Sequence, residues 1–388
     1  MSSQDQPHQI SRTLRSFGES VFTEINRMAI QTNAVNLSQG CPDFDAPAFI
    51  REAAQEAINS GNNQYGPMGG ATVLADAIVH DARDIMKMDI DAASEVTVTC
   101  GCTEAIAASI LGILHEGDEV IIMDPAYDSY RPCLALANVA SRSVTMKAPD
   151  FALDAAAIDA ACSDRTRAIM INTPHNPTGR VFTRSELEAL AEVCRRRDLI
   201  VFSDEVYNRM VFEGEHVSIA SLPGMAERTI TLCSLGKTFS VTGWKIGWSI
   251  APPHLTAGIR AAHQFLTFGC AHPLQHAAAV ALRNRADYYV QLVTNYRQRR
   301  DLLCEGLHRA GFSFNAPEGG YFVLCNHAHL GQPDDVAACR WLIEHAGVAA
   351  IPPSSFYADP TEGSQLMRFA FCKRIETIEA ALERLGRL

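Results

Sequence analysis

Lys237 is the residue of this chain with the most chemistry to explain. It stands in the run Ser234-Leu235-Gly236-Lys237-Thr238-Phe239-Ser240-Val241-Thr242-Gly243-Trp244-Lys245-Ile246-Gly247, directly after the apolar stretch Thr229–Cys233. That stretch reads as a buried strand. A lysine at the end of a core strand, among small residues and with no acidic neighbour in sequence, is pushed toward its neutral amine by burial. A neutral lysine amine can form a Schiff base with an aldehyde. The plain alternative is a surface lysine in a loop. The residues around it in the fold must decide.

Other polar residues stand at the ends of similar apolar runs. Val96–Cys100, Glu119–Met123, Arg167–Asn172 and Leu199–Ser203 read as further strands. Thr103–Leu114 has a helical pattern. Thr183-Arg184-Ser185-Glu186 is a capping box that opens a helix reaching about Arg197. This alternation predicts an α/β protein with a mostly parallel, doubly wound sheet and helices on both faces. Sites in such sheets lie beyond the C-terminal ends of the strands. From about residue 285 the pattern changes to one long helix through about Ala310. Strand-like pieces follow at Tyr321–Cys325 and Met367–Phe371, which predicts a smaller α+β domain. The expected division is an N-terminal arm over 1–47 that joins the small domain, a large domain over 48–284 and a small domain over 285–388.

The strand ends carry a coherent set. After the first come Gly101, Cys102 and Thr103, small residues and a hydroxyl at a helix N-terminus, where free N–H groups suit a phosphate; Thr103 could equally be a plain N-cap. After the second comes Tyr127, able to stack on a flat ring or simply to pack. After the third comes Asn176, between Pro174 and Pro177, which could also be only a turn former. After the fourth come Asp204, Glu205 and Tyr207. A carboxylate there needs a partner, and a heterocyclic N–H⁺ or a buried Arg or Lys would serve. After the fifth come Ser234 and Lys237. Together they match the needs of pyridoxal 5′-phosphate (PLP): a lysine for its aldehyde, an Asp for its ring nitrogen, donors for its 3′ oxygen and a cradle for its phosphate.

With these segments the chain resembles the fold-type I, class I/II aminotransferases over essentially its whole length. Asn172–Gly179, Ser203–Tyr207 and Ser234–Gly247 carry the likeness. Asn36–Asp45, Asn63–Gly70, His263–Gly269 and Ala349–Tyr357 make it most similar to the methionine/kynurenine/glutamine subgroup. The resemblance implies that Lys237 holds PLP and moves the substrate proton, and that Asp204 keeps the ring nitrogen protonated. It implies that Asn176 and Tyr207 bind the 3′ oxygen and that Tyr127 stacks on the ring. Gly101, Cys102, Thr103, Ser234 and Lys245 would bind the phosphate. Tyr65 would reach the phosphate of a neighbouring subunit, making a homodimer with shared sites. Arg368, helped by the Gly40 N–H and by Asn176, would hold the substrate α-carboxylate. The chain departs from the family signature in one place, with Lys245 where Arg is usual. The implied activity is ping-pong transfer of an amino group from a neutral, sulfur-containing or aromatic L-amino acid to a 2-oxo acid. Alternatives on the same fold are a cysteine-conjugate C–S β-lyase, an N-succinyl-amino-dicarboxylate aminotransferase and a non-catalytic PLP-binding sensor.

Composition narrows the partners. Of 388 residues, 47% are apolar and 20% charged, as in a globular protein with a large core. The formal charge of −11 argues against a general nucleic-acid or anionic-membrane surface. The longest apolar stretch, Ala105–Leu114, is far short of the ~20 residues that span a bilayer. Met1–Ser16 is polar and lacks an apolar signal core. Twelve scattered cysteines without a CxxC read as reduced, mostly buried thiols of a cytoplasmic protein. His327 and His329 read as surface-loop residues rather than metal ligands, for want of further spaced partners. Phe17, Phe22, His272 and Tyr357 are candidates for the substrate pocket or for plain packing.

Overall fold

The computed structural model describes residues 21–388 together with Ser11, Thr13 and Phe17. Of the expected arm, the remaining residues before 21, including most of Met1–Ser16, lie outside the described residues. Eleven strands occur among the described residues: β1 (Val35–Asn36), β2 (Val96–Thr99), β3 (Glu119–Asp124), β4 (Ala140–Thr145), β5 (Thr166–Asn172), β6 (Ile200–Asp204), β7 (Thr229–Ser234), β8 (Gly247–Ile250), β9 (Phe322–Asn326), β10 (Val348–Ala349) and β11 (Leu366–Ala370).

Seven of them form one sheet in the order β2-β8-β7-β6-β5-β3-β4. All neighbours are parallel except β8, which runs against both β2 and β7. The parallel strands β3, β6 and β7 are buried almost throughout, as strands covered by helices on both faces must be. Their unbroken apolar runs made them legible. The two strands that the pattern missed lack that signal. β4 is Ala-Ser-Arg-Ser-Val-Thr, mostly exposed at the sheet edge, where polar residues protect an unpaired rim. β8 is only Gly247–Ile250, and the chain reaches it through Lys245, which is left-handed at φ 52°.

The helix Gly101–Ile113 starts two residues earlier than its apolar pattern suggests. Its apolar surface is buried against the helix Pro253–Leu266. Glycines permit that approach, because a Cβ on Gly112 would lie 2.2 Å from the Gly258 carbonyl oxygen. The expected capping box is present. Thr183 Oγ1 accepts from Glu186 N–H, and Glu186 accepts from Thr183 N–H at 2.7 Å, at the head of the helix Arg184–Arg197.

The long helix Ala286–Arg309 leads into a second layer. There β9 and β11 pair antiparallel, and β1 from the arm pairs parallel with β10. One apolar cluster joins this layer to one face of the large sheet, through residues such as Ile171, Tyr207, Tyr321 and Phe369. His327 does not lie in a surface loop as the sequence suggested. It is buried at the end of β9, with Nε2 3.0 Å from the Ser364 carbonyl oxygen. No described helix is long and apolar enough to cross a membrane.

Candidate active site

The parallel strands end at Asp124, Asn172, Asp204 and Ser234, on one edge of the large sheet. Over that edge the arm and the C-terminal layer bring Phe22, Gly40, Phe322, Phe356 and Arg368. Between them lies a cavity of about 350 Å³.

Asp204 and Glu205 are adjacent, and their side chains go to different places. Glu205 is locked in the interior by Ser203 Oγ (2.8 Å), Ser218 Oγ (2.8 Å) and His216 Nε2 (2.8 Å). Asp204 lines the cavity. Its Oδ2 accepts from Tyr130 Oη at 2.7 Å, and its Oδ1 accepts from Val206 N–H at 3.3 Å and from Cys102 Sγ at 3.8 Å. Burial pushes its pKa up to about 6, although the Tyr130 and Val206 hydrogen bonds and the charge of Lys237 pull it down. A buried carboxylate held this way is short of a cation.

Lys237 reaches the same cavity from the short helix Leu235–Thr238 after β7. It is half-buried and lines the cavity. Burial lowers its pKa, with the charges of Cys372 and Asp204 working against that. Its Nζ lies 5.9 Å from the Tyr207 ring centre and 5.7 Å from that of Tyr321. Burial raises the Tyr207 phenol far above its ordinary range, so Tyr207 is a hydroxyl donor near neutral pH. Its ring stands edge-on to Tyr321, 5.1 Å between centres, and Tyr321 Oη donates to the Gly40 carbonyl at 2.7 Å.

Asn172 ties two strand ends together. Its Nδ2 donates to the Asp204 carbonyl at 2.8 Å, and its Oδ1 accepts from Asn176 N–H at 2.7 Å. Asn176 Oδ1 in turn accepts from Arg368 Nη1 at 3.0 Å. Arg368 is buried among aromatic rings, with Cζ 4.2 Å from the centre of Phe322, 5.1 Å from Phe356 and 5.6 Å from Phe22. Its hydrogen bonds go to neutral oxygens, Asn176 Oδ1 and the Ser38 carbonyl at 3.2 Å, and its Nε has no partner. Burial lowers its pKa to about 10, which leaves it charged at neutral pH. A buried guanidinium so arranged is a receptor for an anion.

A second place suited to an anion lies at the start of the helix Gly101–Ile113, whose first N–H groups have no partner within the helix. Gly101 has φ +78°, and a Cβ there would lie 3.0 Å from Lys245 Cε and Nζ. A side chain at 101 would therefore fill the space into which Lys245 projects. Gly247 backs onto this turn so closely that a Cβ would stand 2.4 Å from the Gly101 carbonyl carbon. Cys102, Thr103 and Ser234 line the same wall, and Tyr127 lines the cavity beside them with its ring edge-on to Tyr130.

The fold thus gathers Gly40, Gly101, Cys102, Thr103, Tyr127 and Asn176 with Asp204, Tyr207, Ser234, Lys237, Lys245 and Arg368 around one cavity. Tyr65 is not among them. It is 87% exposed, with its ring edge-on to Phe268 at 5.3 Å. Of the four pocket candidates, Phe22 lines the cavity, whereas Phe17, His272 and Tyr357 do not. His272 packs on His276, and Tyr357 is buried elsewhere. Sequence reasoning missed Tyr130, Asn172, Phe322 and Phe356. Asn172 and Tyr130 could have been flagged as polar residues ending or following buried runs. The phenylalanines gave no signal beyond ordinary core residues.

Residues 32–385 match the family described as "Aminotransferase class I and II". The chain is 44% identical to a probable N-succinyldiaminopimelate aminotransferase of Mycobacterium tuberculosis, over 96% of this chain and 97% of that one. It is 40% identical to a methionine aminotransferase of Escherichia coli, over 97% of each. The solved structure of the N-succinyldiaminopimelate aminotransferase from M. tuberculosis superposes with a TM-score of 0.94, covering 98% of this chain and 100% of that one.

Proposed function

Because the chain belongs to the class I and II aminotransferases, we propose that it moves the amino group of a neutral L-amino acid, sulfur-containing or aromatic, to a 2-oxo acid. It is a PLP-dependent transaminase of fold type I. The observation that carries the amino-acid reading is Arg368, a caged guanidinium with neutral partners and an unpartnered Nε, lining the same cavity as Lys237 and suited to an α-carboxylate.

The residues fit PLP on three counts. Asp204 is a buried carboxylate short of a cation, which a ring N–H⁺ supplies. The turn at Gly101, kept open by the missing Cβ, leaves Lys245 and helix N–H groups for a phosphate. The Lys237 amine is drawn toward its neutral form by burial. When bound, PLP supplies an aldehyde for amines and an electron-poor ring that takes up the electron pair left on the substrate Cα.

The remaining steps belong to the chain. Arg368 binds the α-carboxylate bidentately and, with the Gly40 N–H and Asn176, fixes the Cα beside Lys237. Neutral Lys237 Nζ would take the proton from Cα as general base and then, as general acid, deliver it to the carbon that PLP's aldehyde supplies rather than back to Cα. Asp204, aligned by Tyr130, would keep a proton on the ring nitrogen. Tyr207 and Asn176 would donate to the 3′ oxygen, and Tyr127 would cover the ring. The aromatic wall of Phe22, Phe322 and Phe356 excludes water and receives an apolar side chain. Beyond Arg368, the charged residues lining the cavity are Asp128, Asp204, Lys237 and Lys245. Both lysines and Asp204 serve the cofactor in this reading. Among the described residues lining the cavity, no further cation is left for a second substrate carboxylate, and Asp128 adds a negative charge there.

We assign the cofactor to residues 48–284, and the closing wall to the arm through 47 together with 285–388. Slower hydrogen exchange in 285–388 on binding a substrate analogue checks that division. We assign Tyr65 to the site of a second copy in a homodimer. Activity regained by mixing inactive Tyr65 and Lys237 variants checks this, because one mixed site is then intact. Twelve free thiols suit a reducing cytoplasm, which cell fractionation tests.

The deciding experiment titrates the holoenzyme with single amino acids while following its visible absorbance. Loss of the band with methionine or kynurenine, reversed by a 2-oxo acid, is the expected result. Conversion only by an N-succinylated diamino acid would overturn the substrate class. Pyruvate and ammonia released without an acceptor would mark a β-lyase. A band that no amino acid converts would mark a sensor.

A further inference from the structure

A second cluster of reactive side chains lies behind the anion cradle, outside the cavity described. Cys100 Sγ, a Glu104 carboxylate oxygen and Cys270 Sγ lie within 4.8 Å of one another. Cys100 is half-buried and caps the N-terminus of the helix Gly101–Ile113. Cys270 is buried at the foot of the segment that enters the helix His272–Arg283, with Sγ 3.6 Å from the Val98 carbonyl.

The neighbouring groups favour a thiolate at Cys100. His263 Nδ1 is 2.6 Å from Glu104 Oε1, and its Nε2 is 3.0 Å from the Met68 carbonyl. Nδ1 also lies 3.2 Å from Thr267 Oγ1. Burial pulls the imidazole pKa down, but the Glu104 hydrogen bond and charge outweigh it and raise it above the usual histidine range. Hydrogen bonding from Cys270 lowers the Cys100 thiol to about 7, against burial and the Glu104 charge, which both raise it, and with help from the charge of His263. Burial instead pushes up the thiols of Cys133, Cys194, Cys325 and Cys339. A partly accessible thiolate beside a second thiol is the arrangement of a redox-responsive pair.

A metal centre is the rival reading of the same three residues. The Glu104 carboxylate argues against it. Its Oε2 already accepts from the Cys100 N–H, and its Oε1 accepts from His263 and from Thr267 Oγ1 at 2.8 Å. Those bonds would have to be broken to free it as a ligand.

We propose that Cys100 and Cys270 form a hydroperoxide-responsive thiol pair. The Cys100 thiolate attacks one peroxide oxygen, breaking the O–O bond, to give a sulfenic acid and hydroxide. Cys270 sulfur then attacks the sulfenic sulfur and water leaves. Two thiols lose two electrons and two protons as a disulfide, and hydrogen peroxide becomes two waters. The consequence reaches the cradle through the backbone. Cys100 precedes Gly101, whose turn packs against Lys245 on one side and Gly247 on the other, so a shift at Cys100 is passed directly to the cradle.

The test treats the holoenzyme with hydrogen peroxide and maps its peptides without reduction. The expected result is one cross-linked pair holding Cys100 and Cys270, lighter by two hydrogens, which a dithiol reductant reopens. Cys270→Ser should stop at a sulfenic acid on Cys100, trapped by dimedone, and Cys100→Ser should leave Cys270 unmodified. The cross-link should also release cofactor into the filtrate, and reduction should let it rebind. Oxidation confined to exposed Cys41, or unchanged free-thiol counts at 100 and 270, would overturn the proposal. So would stoichiometric zinc that survives dialysis of the wild type and is lost in Cys100→Ser.

Discussion

Replacing Asp204 with Asn should stabilise the cofactor-free protein and weaken its hold on the cofactor. In the wild-type apoprotein burial raises the carboxyl pKa from 3.8 to about 6. At about 1.4 kcal/mol per pH unit, that distance corresponds to about 3 kcal/mol. The sign follows from the direction. A group whose folded pKa is raised contributes its stability below pH 3.8 and loses it as the pH rises through about 6. Above that pH the wild type carries an ionised, buried carboxylate at full penalty. Asn has no charge to bury, but it gives up one acceptor for Tyr130, Val206 or Cys102, at about 1 kcal/mol. Urea unfolding of the two apoproteins should therefore show Asp204→Asn ahead by about 2 kcal/mol near pH 8, an advantage that vanishes near pH 4. Cofactor should cancel most or all of this advantage, because the wild-type carboxylate then gains a charge-assisted partner worth about 1.5–3 kcal/mol. The variant should bind PLP roughly ten- to hundredfold more weakly and lose about a thousandfold or more in kcat. A stability difference that does not change across this pH range would refute the burial argument. Equal cofactor affinity would refute the assignment of Asp204 to the ring nitrogen.

Lys237→Ala should abolish turnover and the visible cofactor band while far-ultraviolet circular dichroism stays unchanged; normal turnover would remove Lys237 from the mechanism. Arg368→Lys should lower kcat/KM for methionine by about a hundredfold, chiefly through KM. A point charge cannot reproduce the fork held by Asn176 and the Ser38 carbonyl, and an unchanged KM in steady-state assays would place the α-carboxylate elsewhere. Thr183→Ala should cost about 1 kcal/mol in urea unfolding by removing the cap of the helix Arg184–Arg197, with kcat unchanged. A loss of activity there would mean that this helix does more than pack.

Features governed by local pattern were legible in the sequence. Continuous apolar runs marked β3, β5, β6 and β7, because strands buried on both faces must be apolar throughout. The capping box marked its helix to the residue, because its bonds close within four residues. Placing Lys237, Asp204 and Asn176 at strand ends needed only those runs. Other features depended on contacts between distant segments. The edge strand β4 is polar because the sheet stops there, and β8 runs antiparallel after a connection that passes through left-handed Lys245. Which of two adjacent carboxylates faces the cavity was decided by Tyr130 on one side and by Ser203, Ser218 and His216 on the other. The cage around Arg368 joins Phe22, Phe322 and Phe356 across more than three hundred residues of chain. Burial, and with it the pKa of each buried group, is a property of the packed whole. A sequence can therefore name a carboxylate at a strand end, but only the tertiary structure withholds water and a cation from it.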